Sequence, residues 1–207
     1  MTNNTTLTFQ YSPAYDRFLL QLINRNESDS FFEKRRTICN EFSKTFVPEN
    51  ISFLEQMKEN MSKTLGIENN QKITIYVIPS MPRSGLPSGF SDPLTISLAR
   101  TTLKGEQKYT PEQLICLITH EIAHHIQHPL RKTSYSKTMK KIYPEMLIRN
   151  HLLTYALLIS VLPPDLFKIE EKKAQKQEQY KKALEIVQKT GAESIITNAR
   201  QHLHHEP

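Results

Sequence analysis

Cysteine is nearly missing from this chain. Two occur in 207 residues, Cys39 and Cys116, and one conceivable pair is no disulfide framework. Neither has the neighbours of a cysteine zinc knot. Cys116 lies inside an apolar helical run, where a buried free thiol is expected. Long hydrophobic runs are missing as well. The most apolar stretch, LLTYALLISVL at 152–162, is about half of what a bilayer span needs, so it reads as a buried helix. The opening MTNNTTLTFQYSPAYDRFLL has neither a charged leader nor a continuous apolar segment, and no cleavable signal is expected. The default expectation is therefore a cytoplasmic protein without a membrane span, with specialised secretion left open. The net charge is +6, but the basic residues are scattered, which argues against nucleic acid as a partner.

What is present is an order of helices, then a small sheet, then helices. Residues 1–12 are polar and read as loose. Helices are predicted over 12–24, with Tyr15, Phe18, Leu19, Leu22 and Ile23 on one side, and over 29–46, where Pro48 ends the run. A third follows to Gly66, with Ile51, Leu54, Met57, Met61 and Leu65 at helical spacing. KITIYVIP (72–79) is rich in β-branched residues and reads as a strand. The Pro- and Gly-rich segment 80–93 reads as a loop. LTISLAR (94–100) alternates apolar with small polar residues, as a sheet-edge strand does. A well-delimited helix follows: Thr110 is its N-cap, Pro111 its first residue, Gln113 completes a capping box, and Pro129 stops it. Beyond a basic connector, a strongly apolar helix runs from Pro144 to Pro163. A charged helix over 167–188 and a frayed end carrying His202, His204 and His205 complete the chain. The fold class expected is α+β, mostly helical.

Histidine is concentrated. Of eight in the chain, four fall in LICLITHEIAHHIQHP (114–129). His120, Glu121 and His124 spell H-E-x-x-H, a pattern that chance supplies about 0.01–0.02 times in a chain of this composition. Helical positions i and i+4 lie one above the other, so both imidazoles can direct a nitrogen at one ion. Glu121, one residue on, misses that ion but can reach a water beside it, where a general base belongs.

A catalytic zinc wants a third protein ligand and an open position. Glu145, at the start of the next helix, is the best candidate, although a carboxylate there also suits the helix dipole. Glu170 and Glu171 are distant alternatives. His128 shares the face of the pair, but three ligands along one helix cannot surround one ion. It reads as a helix-terminal or supporting group, and His125 points away. Stabilising a developing oxyanion needs a further donor. His151, Tyr155, Tyr143 and Arg149 are near enough in sequence to be considered, with His151 and Tyr155 preferred.

These residues make the chain resemble the gluzincin zinc metallopeptidases. The resemblance covers roughly 73–160 and looks most like the family of the CAAX prenyl endopeptidase and the bacterial heat-shock membrane protease. It implies zinc held by His120, His124 and Glu145, Glu121 as base, and a zincin-like core. In that core the edge strand LTISLAR packs on the H-E-x-x-H helix and an extended protein or peptide substrate lies along it. The corresponding division is 1–70 as an N-terminal helical region, 71–165 as the metallopeptidase core and 166–207 as a charged tail. The chain departs from that family at EMLIR, where Arg149 stands in place of an aspartate, and in lacking membrane spans. HEIAHHIQH followed by LLISVLPP is also similar to soluble regulatory peptidases that cleave phage-type repressors. The function expected is a zinc-dependent endopeptidase. The alternative is a regulatory or binding protein that keeps a structural or vestigial zinc site.

Overall fold

A computed structural model of the chain describes residues 6–21, 27–68, 72–81 and 89–204. It is mostly helical, with a small mixed sheet. In chain order the elements are β1 (Leu7–Gln10), α1 (Pro13–Gln21), α2 (Asp29–Leu65), β2 (Ile73–Ser80), β3 (Gly89–Ser91), β4 (Leu94–Thr102), β5 (Gly105–Lys108), α3 (Pro111–Ile126), a 3-10 turn (His128–Lys132), α4 (Ser134–Ile142), α5 (Met146–Val161), α6 (Pro164–Ala174), α7 (Glu178–Thr190) and α8 (Ala192–His204). The chain divides into two compact units. One takes Met1–Glu55 and Asn70–Glu121, the other Gln56–Asn69 and Ile122–Pro207.

The first unit is built on the sheet β1-β2-β4-β3, with β5 also on β4. β1 and β4 pair with β2 in parallel, while β3 and β5 run antiparallel to β4. Leu7–Gln10, within the segment 1–12 expected to be loose, therefore forms a strand, and residues 1–5 lie outside the described residues. Its sequence is polar, but Leu7 is buried, and Glu55 accepts hydrogen bonds from the backbone N–H groups of Thr6 and Leu7, both at 2.6 Å. A carboxylate more than forty residues away thus supplies what local propensity does not.

LTISLAR is not an edge. β4 has β2 on one side and β3 then β5 on the other, and Tyr109 N–H donates to Leu98 O in the interval between them. Both of its faces are covered, because Thr95 and Ser97 are as buried as Leu94 and Ile96. The alternation that suggested a half-exposed strand came from small hydroxyl residues that the interior accommodates. Thr95, for example, donates to Pro93 O at 3.0 Å. The outer position belongs to β3, at the end of the segment read as a loop.

Pro48 does not end a helix. α2 runs through it for 37 residues. An interior proline costs roughly 3 kcal/mol, and Pro48 sits on the exposed side of α2, where the carbonyl it deprives can turn to water. Against that cost, Leu54, Met57, Met61 and Leu65 are buried in register beyond it, each worth about 1.5–3 kcal/mol. The apolar stripe outweighs the proline. Phe18, expected on an apolar face, is exposed; Leu22 and Ile23 lie outside the described residues.

A buried ion pair ties α1, α2 and β2 together. Arg35 Nε and Nη2 donate to the two carboxylate oxygens of Asp16 at 2.6 and 2.8 Å, and Nη2 also donates to Ser80 O at 3.0 Å. Tyr11 donates its hydroxyl to Asp16 at 2.9 Å. That carboxylate and burial, the larger cause, push the phenol well above its usual range. Cys39 beside it, a free thiol donating to Val77 O, is pushed up to about 12 by burial.

In the second unit α5 is central, with α7 and α8 packed against it. The basic connector contains a helix, α4, because Tyr135 and Met139, one turn apart, are buried. The charged tail is two helices, α6 and α7, with Ala174, Ala183, Leu184 and Val187 inside. The last segment is also anchored. Arg200 Nε donates to Thr64 O, and the His202 ring bonds Ser134 Oγ at 2.7 Å. His205 lies outside the described residues.

Replacing Asp16 by alanine strands the Arg35 guanidinium in the interior. The expected loss is about 3–5 kcal/mol, read as a lower urea midpoint with an unchanged slope.

Candidate metal centre

α3 begins as its sequence requires. Gln113 N–H donates to Thr110 Oγ1 at 3.3 Å, and Thr110 N–H donates back to the Gln113 side chain at 3.1 Å, a complete capping box. From that start the helix carries His120 and His124 one turn apart, with His120 buried. The third residue to join them is His151, from the middle of α5. Ligand atoms of His120, His124 and His151 all lie within 4.8 Å of one another, so these three side chains could hold a metal ion.

The ring protons explain why. His151 Nδ1 lies 2.7 Å from Leu147 O. A carbonyl oxygen only accepts, so Nδ1 carries the proton and Nε2 presents its lone pair. His124 is set in the same way. Thr154 Oγ1 donates to Asn150 O at 3.0 Å and accepts from Gln127 Nε2 at 2.8 Å. It then accepts from His124 Nδ1 at 3.1 Å. Both imidazoles are thereby the Nδ1–H tautomer, and their Nε2 atoms face each other at 3.3 Å. Two lone pairs at that distance repel unless a positive charge sits between them. A tetrahedral zinc with bonds of about 2.0–2.1 Å holds its ligand nitrogens about 3.3–3.4 Å apart. The donor set and its spacing fit such an ion, and the outer hydrogen bonds are of the kind that orient metal-bound imidazoles.

Aromatic rings back the third histidine. Tyr155 lies 5.8 Å and Tyr180 4.3 Å from the His151 ring, centroid to centroid. Tyr155 is fully buried. Burial above all, then the nearby charge of Glu170, hold its phenol neutral far above the ordinary range. It packs beside His151 and is not one of the three clustered side chains.

Other expected residues fall elsewhere. Glu145 is the N-cap of α5. Its half-exposed carboxylate accepts from Lys182 Nζ at 3.0 Å, and it is not in the cluster. The sequence distance from His124 suits a ligand, but a side chain at the helix start is turned toward α7. His151, six residues further, is carried inward. Glu170 is buried and pairs with Lys173 at 3.6 Å; Glu171 accepts from Gln188. His125 and His128 rest against each other, 4.7 Å between ring centroids, and neither joins the cluster. Arg149 donates through Nη1 to the carbonyls of Tyr143 and Pro144. Sequence reading missed Tyr180, Thr154 and Gln127. A buried polar face, His151, Thr154 and Tyr155 at i, i+3 and i+4 of an otherwise apolar helix, was the available signal.

Glu121 is buried, and its carboxylate is tucked against the backbone of β3. A Cβ at Gly89 would lie 2.6 Å from Glu121 Oε1 and 2.7 Å from its Cγ. Only glycine leaves room for that side chain. Comparisons with protein-family models, curated proteins and solved structures find no match to this chain.

Gly89→Ala is therefore expected to displace the Glu121 carboxylate without unfolding the protein. If Glu121 is a base, turnover falls by about 100-fold, while circular dichroism and metal stoichiometry stay as in the parent. Thr154→Val removes the acceptor for His124 Nδ1 and is expected to weaken metal binding by about 10- to 100-fold in a competitive chelator titration.

Proposed function

We propose that the chain is a zinc-dependent endopeptidase, with His120, His124 and His151 as the metal ligands and Glu121 as the general base. The observation that carries this reading is the approach of His124 Nε2 and His151 Nε2 to 3.3 Å, with His120 completing the three-imidazole cluster and the buried carboxylate of Glu121 next to His120 in sequence. Three imidazoles leave a tetrahedral ion one position for water or substrate. A divalent ion held there supplies a Lewis acid and a water acidified toward neutral pH.

The protein's own groups do the rest. Glu121 accepts the proton of the attacking water and delivers it to the leaving amine. Its place beside Gly89 sets it next to β3, a strand at one side of the sheet. An extended peptide adding its backbone alongside β3 would bring a carbonyl to that carboxylate. This role, expected of LTISLAR, passes to β3 because β4 is paired on both sides. The reading keeps the zincin-like plan of H-E-x-x-H helix, outer strand and second ligand-bearing helix, and replaces the gluzincin carboxylate by an imidazole.

Glu121→Gln is expected to keep its metal and lose about 100- to 10,000-fold in peptide hydrolysis, measured on quenched fluorescent peptides. His151→Leu is expected to lose stoichiometric zinc, and Glu145→Gln to retain it. Full hydrolysis by Glu121→Gln would end the mechanism. Zinc retained by His151→Leu but lost from Glu145→Gln would restore the carboxylate as third ligand. Tight zinc with no hydrolysis of any peptide would favour a binding protein with a structural metal.

A further inference from the structure

Beside His124 the second unit contains a cavity of about 70 Å³, several times the roughly 10–15 Å³ that one water requires. Its wall joins His124 to the start of α5 at Arg149 and Asn150, and to the 3-10 turn at Arg131. Leu130 and Met139 supply apolar surface. Arg131 and Arg149 line it and, among the described residues, no Asp or Glu does. Arg149 is held in place: Nη1 donates to Tyr143 O at 3.1 Å and to Pro144 O at 2.9 Å. Its Nε and Nη2 donors have no other protein partner among the described residues. A guanidinium fixed on one side offers its remaining N–H groups as a preset fork, which matches a carboxylate better than any neutral group.

We propose that this cavity is a subsite for a carboxylate of the peptide substrate, read by Arg149 and Arg131. The apolar wall takes the methylenes of the group that carries it. The ligand chemistry is the same whether the carboxylate is an acidic side chain near the scissile bond or the free end of the chain. His124 borders the cavity and belongs to the three-histidine cluster, which ties the two together. The proposal rests on the peptidase reading for its substrate class, but selection by charge does not need hydrolysis.

The test measures binding first. Matched pools of short fluorescein-labelled peptides carry a central Glu or Gln, each ending in a free carboxylate or an amide. Fluorescence anisotropy with the metal-free protein and with zinc-loaded Glu121→Gln gives their affinities. Pools carrying the recognised carboxylate are expected to bind at least about tenfold tighter than their neutral counterparts, with the preference shrinking as salt is raised. A preference that follows Glu over Gln identifies a side chain, and one that follows carboxylate over amide identifies the chain end. The preference should fall toward unity in Arg149→Lys, which keeps the charge but loses the fork, and in Arg131→Gln, which alters an exposed residue. Equal affinity across all pools, no binding of any pool, or a preference that survives both variants would overturn the proposal. Binding preference without hydrolysis would leave the subsite standing and remove the peptidase. Hydrolysis without preference would do the reverse.

Discussion

The arrangement depends on where two ring protons sit. A backbone carbonyl at Leu147 and a threonine hydroxyl at 154 hold the protons of His151 and His124 on Nδ1, which turns two lone pairs toward each other across 3.3 Å. Such a contact is unfavourable by itself. It persists because α5 is pinned through its buried face and through Gln127, which bonds both Ala123 O and Thr154 Oγ1 at 2.8 Å. The packing energy of an apolar helix is thus spent holding electron density where only a cation relieves it. The rings of Tyr155 and Tyr180 lie against the ring of His151.

Much of the candidate centre was legible in the sequence because it is local. H-E-x-x-H states its own geometry once the helix is granted, and the capping box grants it. The third member of the cluster was not legible in the same way. Glu145 and His151 are both within reach along the chain, and the choice depends on the direction each side chain takes from α5. That direction is set by packing against α7 and α8, which no local pattern encodes. Lys182, drawing Glu145 toward α7, is a partner 37 residues away.

The same contrast runs through the fold. β2 and α3 follow from composition and caps. β1 does not, because what makes Leu7–Gln10 a strand is the neighbouring edge of β2 and the carboxylate of Glu55. β4 looked like an edge because threonine and serine alternate with leucine and isoleucine, although the hydroxyls are satisfied inside. Pro48 looked like a terminus because proline usually is one. A stop signal on the solvent side of a helix is overridden when the apolar stripe continues beyond it.

Gly89 carries a consequence for how selectivity can be built. β3 begins at a residue whose side-chain volume the carboxylate of Glu121 fills, so a peptide lying along it, on the proposed reading, would meet no side chain there. Evolution therefore has a blank position where discrimination would otherwise be cheapest to install. On the peptidase reading, any choice among substrates would have to be written into walls away from that glycine.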